Sequence, residues 1–154
     1  MSEAPVSAGL PRRFFLGAAL SGISVASATA LGIVGAGQQP TSESFRFSRG
    51  TSFAPDEESR MRTFLAGIAA NDRLGLRITG HTGTAGDADA NLALSVSRAQ
   101  AAETAVAALG IPDSRLVFVG GLGGTAPRAK RADEGDREFE RSLARVTIET
   151  VRLP

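Results

Sequence analysis

The chain has 154 residues and a formal charge of +1, and it contains no Cys, Trp or Tyr. That length suits one domain of ordinary size. The balanced charge gives no general attraction to nucleic acid or to an anionic membrane surface, and the missing cysteine excludes a disulfide framework, a thiolate metal site and a Cys nucleophile.

Residues 12–36 read RRFFLGAALSGISVASATALGIVGA. After Arg12 and Arg13, Phe14 to Gly37 carries no charge, and that run has roughly the length a helix needs to cross a bilayer. Gly, Ala and Ser dominate it, which fits a cleaved export signal or a packed membrane helix better than a lone lipid-facing one. No Lys or Arg follows until Arg46, an asymmetry that places the N-terminus in the cytoplasm and the remainder outside. Arg12-Arg13-Phe14-Phe15-Leu16 also resembles a twin-arginine export signal, with Pro11 where that signal usually has Ser or Thr. Residues 1–37 are therefore expected to be an export signal or a membrane anchor. Residues 38–43, polar and containing Pro40, are expected to be a linker to a domain spanning 44–154.

Within that domain SFRFS (44–48) alternates apolar and polar residues and predicts a strand. Pro55-Asp56-Glu57-Glu58 puts Pro and acids where a first helical turn favours them. Met61, Phe64, Leu65, Ile68 and Ala69 then form one apolar stripe of a helix that ends near Asn71-Asp72. LRIT (76–79) predicts a second strand. From Ala88 to Leu109 a second helix carries Leu92, Val96, Ala99, Ala102, Val106 and Leu109 on one stripe, and Gly110-Ile111-Pro112 stops it. Leu116 to Val119 predicts a third strand, residues 128–142 a charged loop with a short helix, and RVTIETV (145–151) a last strand. The order β-α-β-α-β-(α)-β predicts a two-layer α/β (α+β) sandwich with helices on one face of the sheet, the first three strands running parallel to near neighbours.

The turn Gly80 to Gly86 lies at the carboxyl end of a strand and ahead of a helix, a usual place for ligands in α/β sheets. Asn91 and Arg98 are two helical turns apart, about 10 Å along one face. By geometry alone Arg98, at the edge of the apolar stripe, reads either as a stem covering core with its head in solvent or as a guanidinium placed to fork onto a carboxylate.

The run GHTGTAGDADANLALSVSRAQAAETAVAALGI resembles the C-terminal domain of outer membrane protein A, which also occurs in peptidoglycan-associated lipoproteins and flagellar stator B subunits. Gly80-His81-Thr82, Gly86, Asn91, Leu94-Ser95, Arg98-Ala99, Gly110-Ile111-Pro112, Gly121, Gly123 and Pro127 carry the likeness, over about residues 44–151. The resemblance implies non-covalent binding of the peptide stem of peptidoglycan. The motif Asp takes the ammonium of the stem's diamino acid and the motif Arg its carboxylate. Carried onto this chain, the implied binding positions are Arg98, Asn91, Thr82, Gly83 and Arg145. Gly83 stands where the family has the Asp, Gly124 where a Glu often follows, and Leu143-Ala144-Arg145-Val146 where the family has Asn-Arg-Arg-Val. The alternative is an interaction module of an envelope membrane complex that keeps the fold without wall binding.

The remaining signals favour structural roles. His81, the sole histidine, has no triad-like partners and is expected to pack within its turn; with no Cys beside it, neither catalysis nor a transition-metal site is expected. Asp87 and Asp89 fall where caps belong. Gly121-x-Gly123-x-x-Ala126 imitates a dinucleotide fingerprint, but Pro127 and a charged run follow it instead of an apolar-faced helix, so no cofactor is expected. Arg128, Lys130 and Arg131 are followed by acids and read as a solvated loop.

Overall fold

The computed structural model describes residues 40–154. Strand β1 (Ser42–Arg49) turns at Gly50 into a two-residue strand β2 (Ser52–Phe53). Helix α1 (Glu57–Ala69), strand β3 (Leu74–His81), helix α2 (Ala88–Ala108) and strand β4 (Leu116–Gly121) follow. Helix α3 (Asp136–Leu143) and strand β5 (Arg145–Arg152) complete the chain. The two-layer α/β expectation holds, with one five-stranded sheet in the order β2-β1-β5-β3-β4.

Strand adjacency differs from expectation. β3 and β4 are parallel neighbours, but β1 does not touch β3, because β5 lies between them and is antiparallel to both. β1, β3 and β4 do run the same way. The connection through α1 skips one position in the sheet, and β5, with Val146 and Ile148 buried at alternate positions, fills the gap. The linker expectation is also shortened: Ser42 and Glu43 already pair with Glu149 and Ile148 as the start of β1.

The core lies between the sheet and the helices. Phe45, Phe47, Leu76, Ile78, Val146 and Ile148 point toward Met61, Leu65 and Ile68 of α1 and Ala99, Ala102 and Val106 of α2. Pro55 and Asp56 stand just ahead of α1, whose first turn begins with Glu57 and Glu58. Glu57 is buried and held by Arg46 at 2.9 Å and Arg60 at 2.6 Å.

The expected stripe of α2 is buried at Ala99, Ala102 and Val106 and departs from expectation at its start. Leu92 is 47% exposed, and Ser95 and Arg98 are buried. The cause is the sheet beneath. Gly80 and Gly121 offer no side chain there, so the helix backbone at Ser95 settles directly onto the ends of β3 and β4. The helix ends as its sequence predicts: Gly110, at φ +73°, donates to the Ala107 carbonyl and Ile111 to the Val106 carbonyl, the paired bonds of a Schellman stop.

Candidate functional site

Because β1, β3 and β4 run the same way and β5 opposes them, the end of β3 meets the start of β5 at one edge of the sheet. His81 pairs there with Arg145. The turn that leaves β3 crosses this edge and is held from several sides. Thr82 is buried and its N–H donates to the Gly123 carbonyl at 2.9 Å. Asn91 Nδ2, one turn into α2, donates to the Ala85 carbonyl at 2.9 Å. Asp87 caps α2 by accepting from the Ala90 N–H at 2.8 Å, which is its local role. Gly123 N–H in turn donates to Ser95 Oγ at 2.9 Å. The glycines of the 121–124 segment thus let two backbones meet; a side chain at Gly124 would run into the Gly83 carbonyl and the Thr84 Cα.

Arg98 reaches this edge from below. It is 5% exposed, so its head is not in solvent as the stem-and-head reading expects. Nε donates to the Gly50 carbonyl and Nη1 to the His81 carbonyl, both at 2.8 Å, and the guanidinium lies 5.1 Å from the Phe47 ring centroid. Backbone carbonyls and an aromatic face make burial of this cation tolerable. Burial lowers its pKa. Arg145, on the other side of His81, donates from Nη2 to the Ala126 carbonyl at 3.2 Å; burial first, and the nearby Arg128 second, lower its pKa. Among the described residues neither Arg98 nor Arg145 is ion-paired, whereas Arg46, Arg60, Arg128 and Arg131 all have carboxylate partners. The two guanidiniums beside His81 therefore have no carboxylate partner of their own among the described residues.

Arg145 also lines an open groove of about 1060 Å³ between β1, β5 and the 128–144 segment, whose walls include Arg46, Arg128, Arg131, Glu134 and Glu138. The turn residues 82–86 do not line it, so it adjoins the turn without including it. The charged loop is knit as well as solvated: Arg128 pairs with the buried Glu134, Lys130 with Asp136 at 2.5 Å, and Arg131 with Glu138 at 3.2 Å.

His81 packs within its turn, 6% exposed, and its Nδ1 has no hydrogen-bond partner. Burial first, and the Arg145 charge second, push its pKa from 6.5 down to about 4. Between those values the unfolded chain binds the proton and the folded one does not, so stability is complete above pH 6.5 and falls as pH drops toward 4. The loss across that window should be on the order of 2 kcal/mol. Urea unfolding at pH 7, 6 and 5 should show it, and His81→Gln should flatten the profile.

The structure brings all five expected positions, Thr82, Gly83, Asn91, Arg98 and Arg145, to one edge. It adds one the sequence does not signal. Glu140, on α3, accepts from Thr84 Oγ1 at 2.8 Å and from the Thr84 N–H at 3.2 Å, which ties α3 to the turn across 56 positions of chain. Among the described residues no three His, Asp or Glu side chains gather as a metal site. No helix there is long and apolar enough to cross a membrane, and the expected export or anchor segment lies outside the described residues.

Similar solved structures include the peptidoglycan-associated lipoprotein from Burkholderia pseudomallei, at 22% identity and TM-score 0.58, covering 71% of this chain and 89% of that one. The periplasmic domain of Helicobacter pylori MotB matches at 18% identity and TM-score 0.58, covering 74% and 75%. A MotB-like protein from Desulfovibrio vulgaris matches at 19% identity and TM-score 0.59, covering 73% and 76%. Comparison with curated proteins found no match. At these identities the solved structures establish the shared fold. The OmpA family model matches residues 46–141, well over half of the sequence, and the chain belongs to the OmpA family.

Proposed function

We propose that this domain is a binding module, not an enzyme, and that it holds the peptide stem of peptidoglycan non-covalently, tethering a membrane to the cell wall. The observation that carries the reading is the pair of acid-free guanidiniums, Arg98 and Arg145, flanking His81 at the start of a pre-set turn. A carboxylate arriving there meets donors that are already oriented, and little rearrangement is needed to bind it. Thr82 and Asn91 keep the turn in shape, and the groove beyond Arg145 offers room for a chain to leave. The lipoprotein named above is peptidoglycan-associated by its own description, and membership of the same family supports the same ligand here. In this reading residues 1–37 export or anchor the protein, and the domain works in the periplasm of a bacterial envelope.

A second reading has one specific observation in its favour. Two of the Arg98 donors are already committed to the Gly50 and His81 carbonyls, so the residue also serves as a brace. The domain would then be an interaction module of an envelope complex that has given up wall binding.

Co-sedimentation of the full chain, in mild detergent, with purified sacculi separates the two. Binding is expected for the wild type. Arg98→Lys keeps the charge but loses the planar fork, and should weaken retention about ten- to a hundred-fold. Arg145→Gln should give a milder loss and serves if the Arg98 variant does not fold. Folded wild-type protein that stays in the supernatant would overturn wall binding and leave the second reading.

A further inference from the structure

We propose that Glu140 supplies, from α3, the carboxylate that the turn lacks at Gly83, and that it takes the free ammonium of a diamino acid in the stem. This rests on the wall-binding reading and adds the residue that recognises the amine.

Position is the first argument. A β-carbon built on Gly83 would lie 2.7 Å from Glu140 Oε2, so this carboxylate occupies the space an acidic side chain at position 83 would fill. The two arrangements compete for the same space. An Asp at 83 would crowd Glu140 and set two like charges together, whereas glycine admits the carboxylate from the other element.

Orientation is the second. The Thr84 hydroxyl donates to one carboxylate oxygen and the Thr84 N–H to the other, so the group is aimed rather than free to swing. A carboxylate accepts about four hydrogen bonds, and two are used, which leaves capacity for the N–H groups of an ammonium.

Charge is the third. Glu134, Asp136 and Glu138, on the same stretch of chain, are each ion-paired to Arg or Lys. Among the described residues Glu140 forms no such pair and stays half-buried beside the turn. An anion held in place without a cation attracts one from outside. Glu140 thus stands at Gly83 and Thr84, while Arg98 and Arg145 stand at His81, so opposite charges flank one short turn, as a zwitterion requires.

The test compares native sacculi with sacculi whose free amines have been N-acetylated. The wild-type full chain should bind native sacculi and lose about ten- to a hundred-fold on acetylated ones. Glu140→Gln keeps an acceptor for Thr84 but removes the charge. It should bind native sacculi as weakly as the wild type binds acetylated ones, with no further loss on acetylation. The double variant Gly83→Asp/Glu140→Ala, which moves the carboxylate to the turn itself, should recover both binding and sensitivity to acetylation. Equal wild-type binding to both preparations, or full binding by Glu140→Gln, would overturn this proposal and leave wall binding standing. A wild type that ignores native sacculi would overturn the reading beneath it as well.

Discussion

Alanine in place of Gly80 is expected to destabilise the domain by about 3 kcal/mol or more, measured as a lower urea midpoint. The added methyl would press into the backbone of α2: it would overlap the Ser95 carbonyl oxygen and lie 2.8 Å from the Ser95 carbonyl carbon and 3.2 Å from the Ala99 nitrogen. None of these is the end of a flexible side chain, so the whole helix has to move. α2 is also the element that carries Arg98 and Asn91, and a lifted helix draws Arg98 away from the His81 carbonyl. A total stability of roughly 5–15 kcal/mol leaves limited room for such a shift. An unchanged midpoint would mean that α2 does not rest on β3 as closely as described.

Arg115→Met is expected to cost about 3 kcal/mol, because it strips several buried carbonyls of their charged donor. Arg115, in the short 3-10 turn Asp113–Arg115 before β4, is buried. Its guanidinium donates to the carbonyls of Leu74 at 2.7 Å, Ile68 at 2.8 Å and Asn71 at 2.7 Å. Two of these belong to the end of α1 and the turn after it, and α1 has no basic residue of its own in its last turn. Arg115 therefore closes that helix from a distant part of the chain, and its positive charge suits the negative end of the helix. Methionine keeps the apolar stem and removes the donors, so the variant isolates the capping. Thermal melting should fall, and hydrogen exchange should speed up first at Asn71 and Leu74, whose N–H groups bond within this turn. Arg115→Lys should recover only part of the loss, since one ammonium cannot span three carbonyls in a plane. A Met variant that melts with the wild type would refute the capping account.

Much of this was legible from local pattern. The period-2 runs at 44–48 and 145–151, the apolar stripe of α1 and the stop at Gly110-Ile111-Pro112 all reappear as elements, because each depends on residues within a few positions of one another. Asp87 is readable as a cap for the same reason, since its partner is Ala90. Arg98 was readable as a candidate but not as a buried one. A charge at the rim of an apolar stripe suggests a head in water, and only the Gly50 and His81 carbonyls, 48 and 17 positions away, make the interior hospitable to it. Leu92 lies outside the core because side-chain polarity says nothing about the two glycines, one on β3 and one on β4, that let the helix sink at Ser95.

From residue order alone came the kinds of elements, their approximate limits and the family likeness, since dihedral preference, capping and periodicity act over a handful of neighbours. Strand partners, the inversion that sets β5 between β1 and β3, and the arrival of Glu140 beside Gly83 came only from the folded chain. Hydrogen bonds between strands and a carboxylate reaching across 56 positions depend on which surfaces close together, and no short stretch of sequence encodes that closure.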